Sequence, residues 1–234
     1  MLPGIAGIMA GVSGEAFSVE FLGYTENEGN LTTYTFLAED FGLPSSTREI
    51  FVGVSWAGGA TVRAISSATI GGVAATIHIQ AGVSDGVDQS VNAGIISAVV
   101  PSGTSGTIEV TLAAAVNLCA IGVYRVVRRT ALVDSDTNTH NSGNPIDVED
   151  PIDVGSNGAI IAVATFSSEN GGVTWAGVTE TYDDTEGGGS SPHQTRYSGA
   201  FISGLATEVG RIVSATQTAS SPPAGAAMAM VSIN

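Results

Sequence analysis

The chain contains no lysine. Its seven basic residues are all arginine, set against 22 acids in 234 residues, for a formal net charge of −15. Charged residues make up 12% of the chain, against roughly 25% in an ordinary domain. Nucleic acid is thereby excluded as a partner, because phosphate binding needs Lys and Arg to displace counterions. Anionic membrane surfaces are disfavoured on the same ground. There is one cysteine, Cys119, so neither an intramolecular disulfide nor a cysteine-rich metal site can form. In the apolar run LCAIGVY it reads as a small buried hydrophobe. No transmembrane or signal segment is recognisable: MLPGIAGIMAGVSGE is apolar, but it lacks a basic start, is broken by Pro3 and several glycines, and is too short to span a bilayer. Apolar residues are not scarce, at 43% of the chain. That excludes disorder, and a chain of this size buries about 70% of its extended surface on folding.

The pattern present is a period of two. In TIEVTL, Ile108, Val110 and Leu112 oppose Thr107, Glu109 and Thr111. ATIHIQ and LTTYTFL alternate likewise, while IFVGVSW and AIIAVATF are near-continuous apolar runs, as in strands covered on both faces. Clusters such as GLPSST, PSGTSG and SSPPAG separate them. No segment carries a sustained helical stripe, so the expected class is all-β. Three segments recur in the same order: Arg48 to Trp56 resembles Gly158 to Phe166, Val91 to Val100 resembles Tyr197 to Ala206, and Leu118 to Val126 resembles Gly225 to Ile233. This predicts two tandem antiparallel β-sandwich units of jelly-roll type with a short N-terminal arm. The expected bounds are an arm over 1–30, a first sandwich over 31–130, an acidic linker over 131–157 and a second sandwich over 158–234. The first 130 residues hold ten acids against five arginines, a net of −5, and the remainder twelve against two, a net of −10.

Sites for chemistry are few. Asp134, Asp136 and Asn138 match the first three ligand positions of a calcium loop, although Thr139 and Pro145 stand where that loop needs glycine and a bidentate acid. No cofactor other than calcium is suggested by the sequence. Asp183, Asp184 and Glu186 form a second acidic group. Gly82 to Gly86 spells G-x-S-x-G, but strand-like text on both sides argues against a nucleophile elbow. The three histidines, His78, His140 and His193, show no zinc spacing. Trp175 and Tyr182 beside Asp183 and Asp184 could form a platform for a sugar, with rings against its apolar face and carboxylates on its hydroxyls. Arg125, Arg128 and Arg129 form the only basic cluster, suited to pairing with acids of the linker or of another subunit. Sheet edges in soluble β proteins are commonly guarded by charge, lysine above all. With none here, covering loops or partner subunits are expected.

The series REIFVGVSW, ATIGGVAAT, VPSGTSGTIEVTL, AIGVYRV, VTWAGVTETYDD and RYSGAFIS resembles a group of β-sandwich virion proteins of tailed bacteriophages, over most of the chain from about Leu31 onward. The start MLPGIAG is similar to the terminus of such proteins. The resemblance implies a non-enzymatic structural protein that decorates or cements the particle surface or forms part of the tail or fibre. It carries no catalytic residues. Expected partners are other virion proteins and further copies of the chain, in a trimer for instance. Leu2, Ile5, Ile8 and Met9 of the arm, with the three arginines, would supply the assembly contacts. A carbohydrate-binding adhesin using Trp175, Tyr182, Asp183 and Asp184 on a host surface glycan is the alternative.

Overall fold

A computed structural model describes residues 15–87, 89–168, 170–185, 195–218 and 225–234. Among these residues there are fifteen strands and no helix. In the first half they are β1 (Ser18–Asp40), β2 (Arg48–Ala57), β3 (Ile65–Ile70), β4 (Val73–Ala74), β5 (Thr76–Ser84), β6 (Ser90–Val99) and β7 (Ser105–Val127). In the second they are β8 (Leu132–His140), β9 (Ile146–Val154), β10 (Gly158–Phe166), β11 (Val173–Ala176), β12 (Thr179–Thr185), β13 (Arg196–Leu205), β14 (Glu208–Gln217) and β15 (Ala226–Ile233).

The second half is a sandwich of a five-stranded sheet, β12-β13-β10-β15-β8, on a three-stranded sheet, β11-β14-β9. The first half repeats this plan with two strands fused. β1 and β7 pair antiparallel along their whole 23-residue lengths. Their outer ends join β2, β6 and β5 in the order β1-β7-β2-β6-β5. Their inner ends, Thr33 to Asp40 against Ser105 to Thr111, continue into β3. Register shifts at Glu28, Leu31 and Thr33 mark the bend where one strand passes between the two sheets. The three repeated segments fall on β2 and β10, β6 and β13, β7 and β15. Each pair holds the same place in its sheet. The all-β, tandem sandwich expectation is met.

Three apolar layers hold this stack together. Ile50, Val52, Val54 and Trp56 of β2 face the core of the first unit, and Ile160, Ala162, Ala164 and Phe166 of β10 face the core of the second. Their alternate residues, Phe51 and Ala159, Ile161 and Val163, meet each other in a third layer between the units, with Ile95, Tyr124, Val126, Ala229 and Val231. That is why these two strands read as continuous apolar runs: both faces are covered. The units approach closely at Gly53, where a Cβ would lie 3.2 Å from that of Val163. Away from this point the layer is wedged by rings. Phe21 stacks on Tyr182 at 5.7 Å and meets Tyr124 at 5.3 Å, and Tyr24 stacks on Tyr182 at 5.2 Å.

Two expected bounds are corrected. The arm does not extend to residue 30, because β1 begins at Ser18 and Phe17, Val19 and Phe21 pack into the inter-unit layer. The acidic linker 131–157 is not a linker but β8 and β9, paired to β15 and β14. Its acids disguised an alternation: in IDVEDPIDV, Ile146, Val148, Ile152 and Val154 are buried, with Asp147, Glu149 and Asp153 on the opposite face and Asp150 half-buried between them.

Candidate functional site

The predicted sugar platform is not assembled. Successive side chains of a strand point to opposite faces, and β12 divides the set accordingly. Tyr182, 6% exposed, points into the inter-unit wedge, where its ring fills the space left by two glycines. A Cβ on either Gly122 or Gly199 would collide with it. Asp184 is on the same side and accepts from Tyr24 Oη at 2.5 Å. Asp183 is on the other side, held by Arg196 through Nε at 2.6 Å and Nη2 at 2.7 Å, and it accepts from the amide of Val173. Trp175 packs against the second core and donates to Ser198 Oγ at 2.8 Å. Both rings and both carboxylates are thus occupied within the chain. Gly199→Ala is expected to cost about 1–3 kcal/mol by overpacking, and less in a Tyr182→Ala background. A double-mutant cycle in urea checks this, and equal costs in the two backgrounds would contradict the wedge.

The three candidate calcium ligands are spread along a strand. Asp134, Asp136 and Asn138 lie on strand β8 and not in a loop, so at about 3.3 Å per residue the first and last stand roughly 13 Å apart. Asp134 accepts from the amides of Ser135 and Asp153, Asp136 from that of Thr137, and Asn138 donates to Glu149 O at 2.9 Å. Among the described residues no three His, Cys, Asp or Glu side chains are grouped to hold a metal ion. Glu186 and His193 lie outside the described residues. Gly82 to Gly86 ends β5 and leads into the turn before β6, with Ser84 Oγ donating to Ala60 O, so no elbow forms.

The basic cluster is built into the fold rather than offered to linker acids. Arg125 lies 3.6 Å from Glu15 and 3.8 Å from Glu20 and donates to Leu43 O at 2.9 Å. Arg128 donates to the Glu15 carbonyl at 2.7 Å. The Glu15 carboxylate accepts from Ser45 Oγ. These contacts clamp Glu15 against the β1–β2 turn and the end of β7, at the edge of a hollow of about 290 Å³ lined by Glu15, Ser46, Thr47 and Arg128. Residues 1–14, with Leu2, Ile5, Ile8 and Met9, join the chain at this corner and lie outside the described residues. Leu43 beside it is exposed.

Arg129 has a different role. Its Nε donates to Glu49 at 2.6 Å and its guanidinium lies 5.7 Å over the Phe51 ring. Glu49 also accepts from Ser97 Oγ at 2.5 Å, and Ser97 Oγ lies 2.7 Å from His78 Nε2. The order is carboxylate–serine–histidine, so histidine does not bridge the other two as a triad base must. Burial lowers the His78 pKa, which favours the neutral ring where it stacks on Phe51. Nothing in the sequence signals this cluster, because its four members come from three strands and a turn.

Several carboxyls sit in partly dry surroundings. Burial raises the pKa of Glu26, Glu39, Asp150 and Glu180, and neighbouring acids raise those of Glu26, Asp150 and Glu180 further. A carboxyl with a raised folded pKa binds its proton more tightly folded than unfolded. Its stabilising contribution is therefore full below the unfolded value, about pH 4, and is lost as pH rises through the folded value. Self-repulsion at −15 has the same sign. His78, with its lowered pKa, acts in the opposite direction, but only around its unfolded value of about 6.5. The melting temperature should therefore fall as pH rises from about 4 toward 6, less steeply in salt. A rise over that range at low ionic strength would contradict these assignments.

Comparison with family models, curated proteins and solved structures finds no match.

Proposed function

We propose that the chain is a non-enzymatic structural subunit of a tailed-phage virion, positioned on the particle surface or along the tail, whose first 14 residues dock on a neighbouring subunit. The observation that supports this reading most is the clamp at Glu15. Two arginines and Ser45 hold that residue to the body of the fold, while the segment before it is apolar and free of charge. Such a segment gains more from burial against a partner than from water. The body suits a load-bearing part, since two sandwiches share a third buried layer and so have little freedom to rock. The edge strands carry no lysine, which fits edges covered by neighbours. The adhesin alternative loses its platform, because the rings it needs are committed inside the chain.

Deletion of residues 1–14 tests the reading. Size-exclusion with light scattering should show the full chain as an oligomer, a trimer being the first state to look for. The deleted form should be monomeric, with the same melting temperature. A full-length chain that stays monomeric at high concentration would contradict the docking role.

A further inference from the structure

Six of the seven arginines spend their guanidinium groups on acceptors of the chain. Arg48 serves five carbonyls, Arg125, Arg129, Arg196 and Arg211 each pair with a carboxylate, and Arg128 binds the Glu15 carbonyl. Arg63 is the exception: among the described residues its Nε is buried with no hydrogen-bond partner, and no carboxylate stands within ion-pair distance. In a chain with 22 acids, leaving one arginine unserved is not a matter of supply. A buried donor without an acceptor carries a cost, and Arg63 Nε is the one charged group among the six buried side-chain polar atoms without a partner in the described residues.

Arg63 lines a cleft of about 270 Å³ at one end of the first sandwich, together with Trp56, Val62, Ala64, Gln80, Ala81 and Gly82. The Gln80 amide is engaged, accepting from Ile65 N at 2.6 Å, and the Trp56 indole donates to Arg63 O at 2.7 Å. Arg63 is therefore the one charged residue lining a hollow whose other walls are apolar apart from Gln80. The wall at Gly82 must be glycine, since a Cβ there would collide with Asn92 Oδ1, itself a buried acceptor without a partner. We infer that this cleft binds a small organic carboxylate, whose two oxygens take the outer nitrogens Nη1 and Nη2 of Arg63 while its carbon body lies against Trp56, Val62 and Ala81. One planar fork matches one carboxylate. A phosphate would bring a second charge with no partner in the cleft. The volume falls just below the usual range for ligand pockets, roughly 300–1,000 Å³, so it admits a simple acid or a single acidic sugar ring but not a peptide or a nucleotide. The carboxylate chemistry is common to a free acid and to an acidic sugar, and the test separates these sources.

Purified full-length protein is titrated with benzoate, isobutyrate and glucuronate by calorimetry and tryptophan fluorescence, beside benzamide, glucose and inorganic phosphate. At least one carboxylate should saturate with a Kd of about 1 mM or tighter. Its neutral counterpart should bind about tenfold more weakly or not at all, and Arg63→Gln should weaken the acid about tenfold at an unchanged melting temperature. Binding of benzoate or isobutyrate identifies a free acid as the ligand, and binding of glucuronate alone identifies an acidic sugar. The proposal is overturned if no carboxylate binds, if phosphate or the neutral analogues bind as tightly, or if a folded Arg63→Gln binds the acid as well as the parent. The amide comparison keeps the test open should the variant fail to fold. The outcome is independent of the oligomer measured after deletion of residues 1–14.

Discussion

Replacing Arg48 by methionine should lower the unfolding free energy by about 3–5 kcal/mol, in line with removing one partner from a buried charged network. Arg48 is fully buried, yet no carboxylate meets it. All five of its N–H groups go to backbone carbonyls instead. Nε donates to Val100 O at 2.7 Å, Nη1 to Phe41 O and Gly42 O at 3.1 and 2.9 Å, and Nη2 to Ser102 O and Gly103 O, both at 2.8 Å. One side chain thus ties the β1–β2 connection to the β6–β7 connection. Burial lowers its pKa, but an arginine starts so high that it stays charged. Methionine keeps much of the stem and removes every donor, leaving five carbonyls to find water or go unpaired. Lysine has three donors on one atom and cannot span the same fan, so Arg48→Lys should recover only part of the loss. Midpoints of urea unfolding check both, with an unchanged slope showing that stability alone has moved. A methionine variant within about 1 kcal/mol of the parent would contradict the clamp.

The second large effect is expected between the units. Val163→Asp should cost more than about 4 kcal/mol, a value reserved for buried charge or deep cavities. Val163 is fully buried in the middle layer, opposite Gly53 and packed in an apolar cluster. Against a total stability of about 5–15 kcal/mol, such a loss should leave much of the chain unfolded at 37 °C. Leu37→Asp is the control. Leu37 is 73% exposed, and its replacement should change stability by no more than about 0.5 kcal/mol. Near-equal effects at the two positions would mean that the layer between the units is wet.

How much of this was legible in the sequence depended on where each side chain's partners lie. β2 and β10 were readable because two covered faces produce an unbroken apolar run, and their similarity exposed the duplication. β9 was not, because an edge strand with one wet face can load that face with acids, and IDVEDPIDV then resembles a charged loop by composition. The span of β1 was missed for a related reason. Its first half serves the layer between the units, a surface that no local pattern announces. Tyr182 illustrates the limit most sharply: beside Trp175 and two aspartates in sequence, it is turned away from Trp175 by the strand alternation and buried against Gly122 and Gly199. The partners of Arg48 and the missing partner of Arg63 were equally invisible. Both arginines stand in turn-like text, STREI and ATVRA, where solvent exposure is the ordinary expectation.

The middle layer carries the central claim, that the two sandwiches form one body fit to act as a rigid part. Differential scanning calorimetry of the 1–14 deletion, which removes any contribution from docking, tests it most directly. If the layer is as dry as the two cores, the chain unfolds in a single transition whose calorimetric and van't Hoff enthalpies agree, and Val163→Asp lowers that one transition as a whole. Two resolved transitions, with Val163→Asp moving only the one that belongs to the second unit, would contradict it.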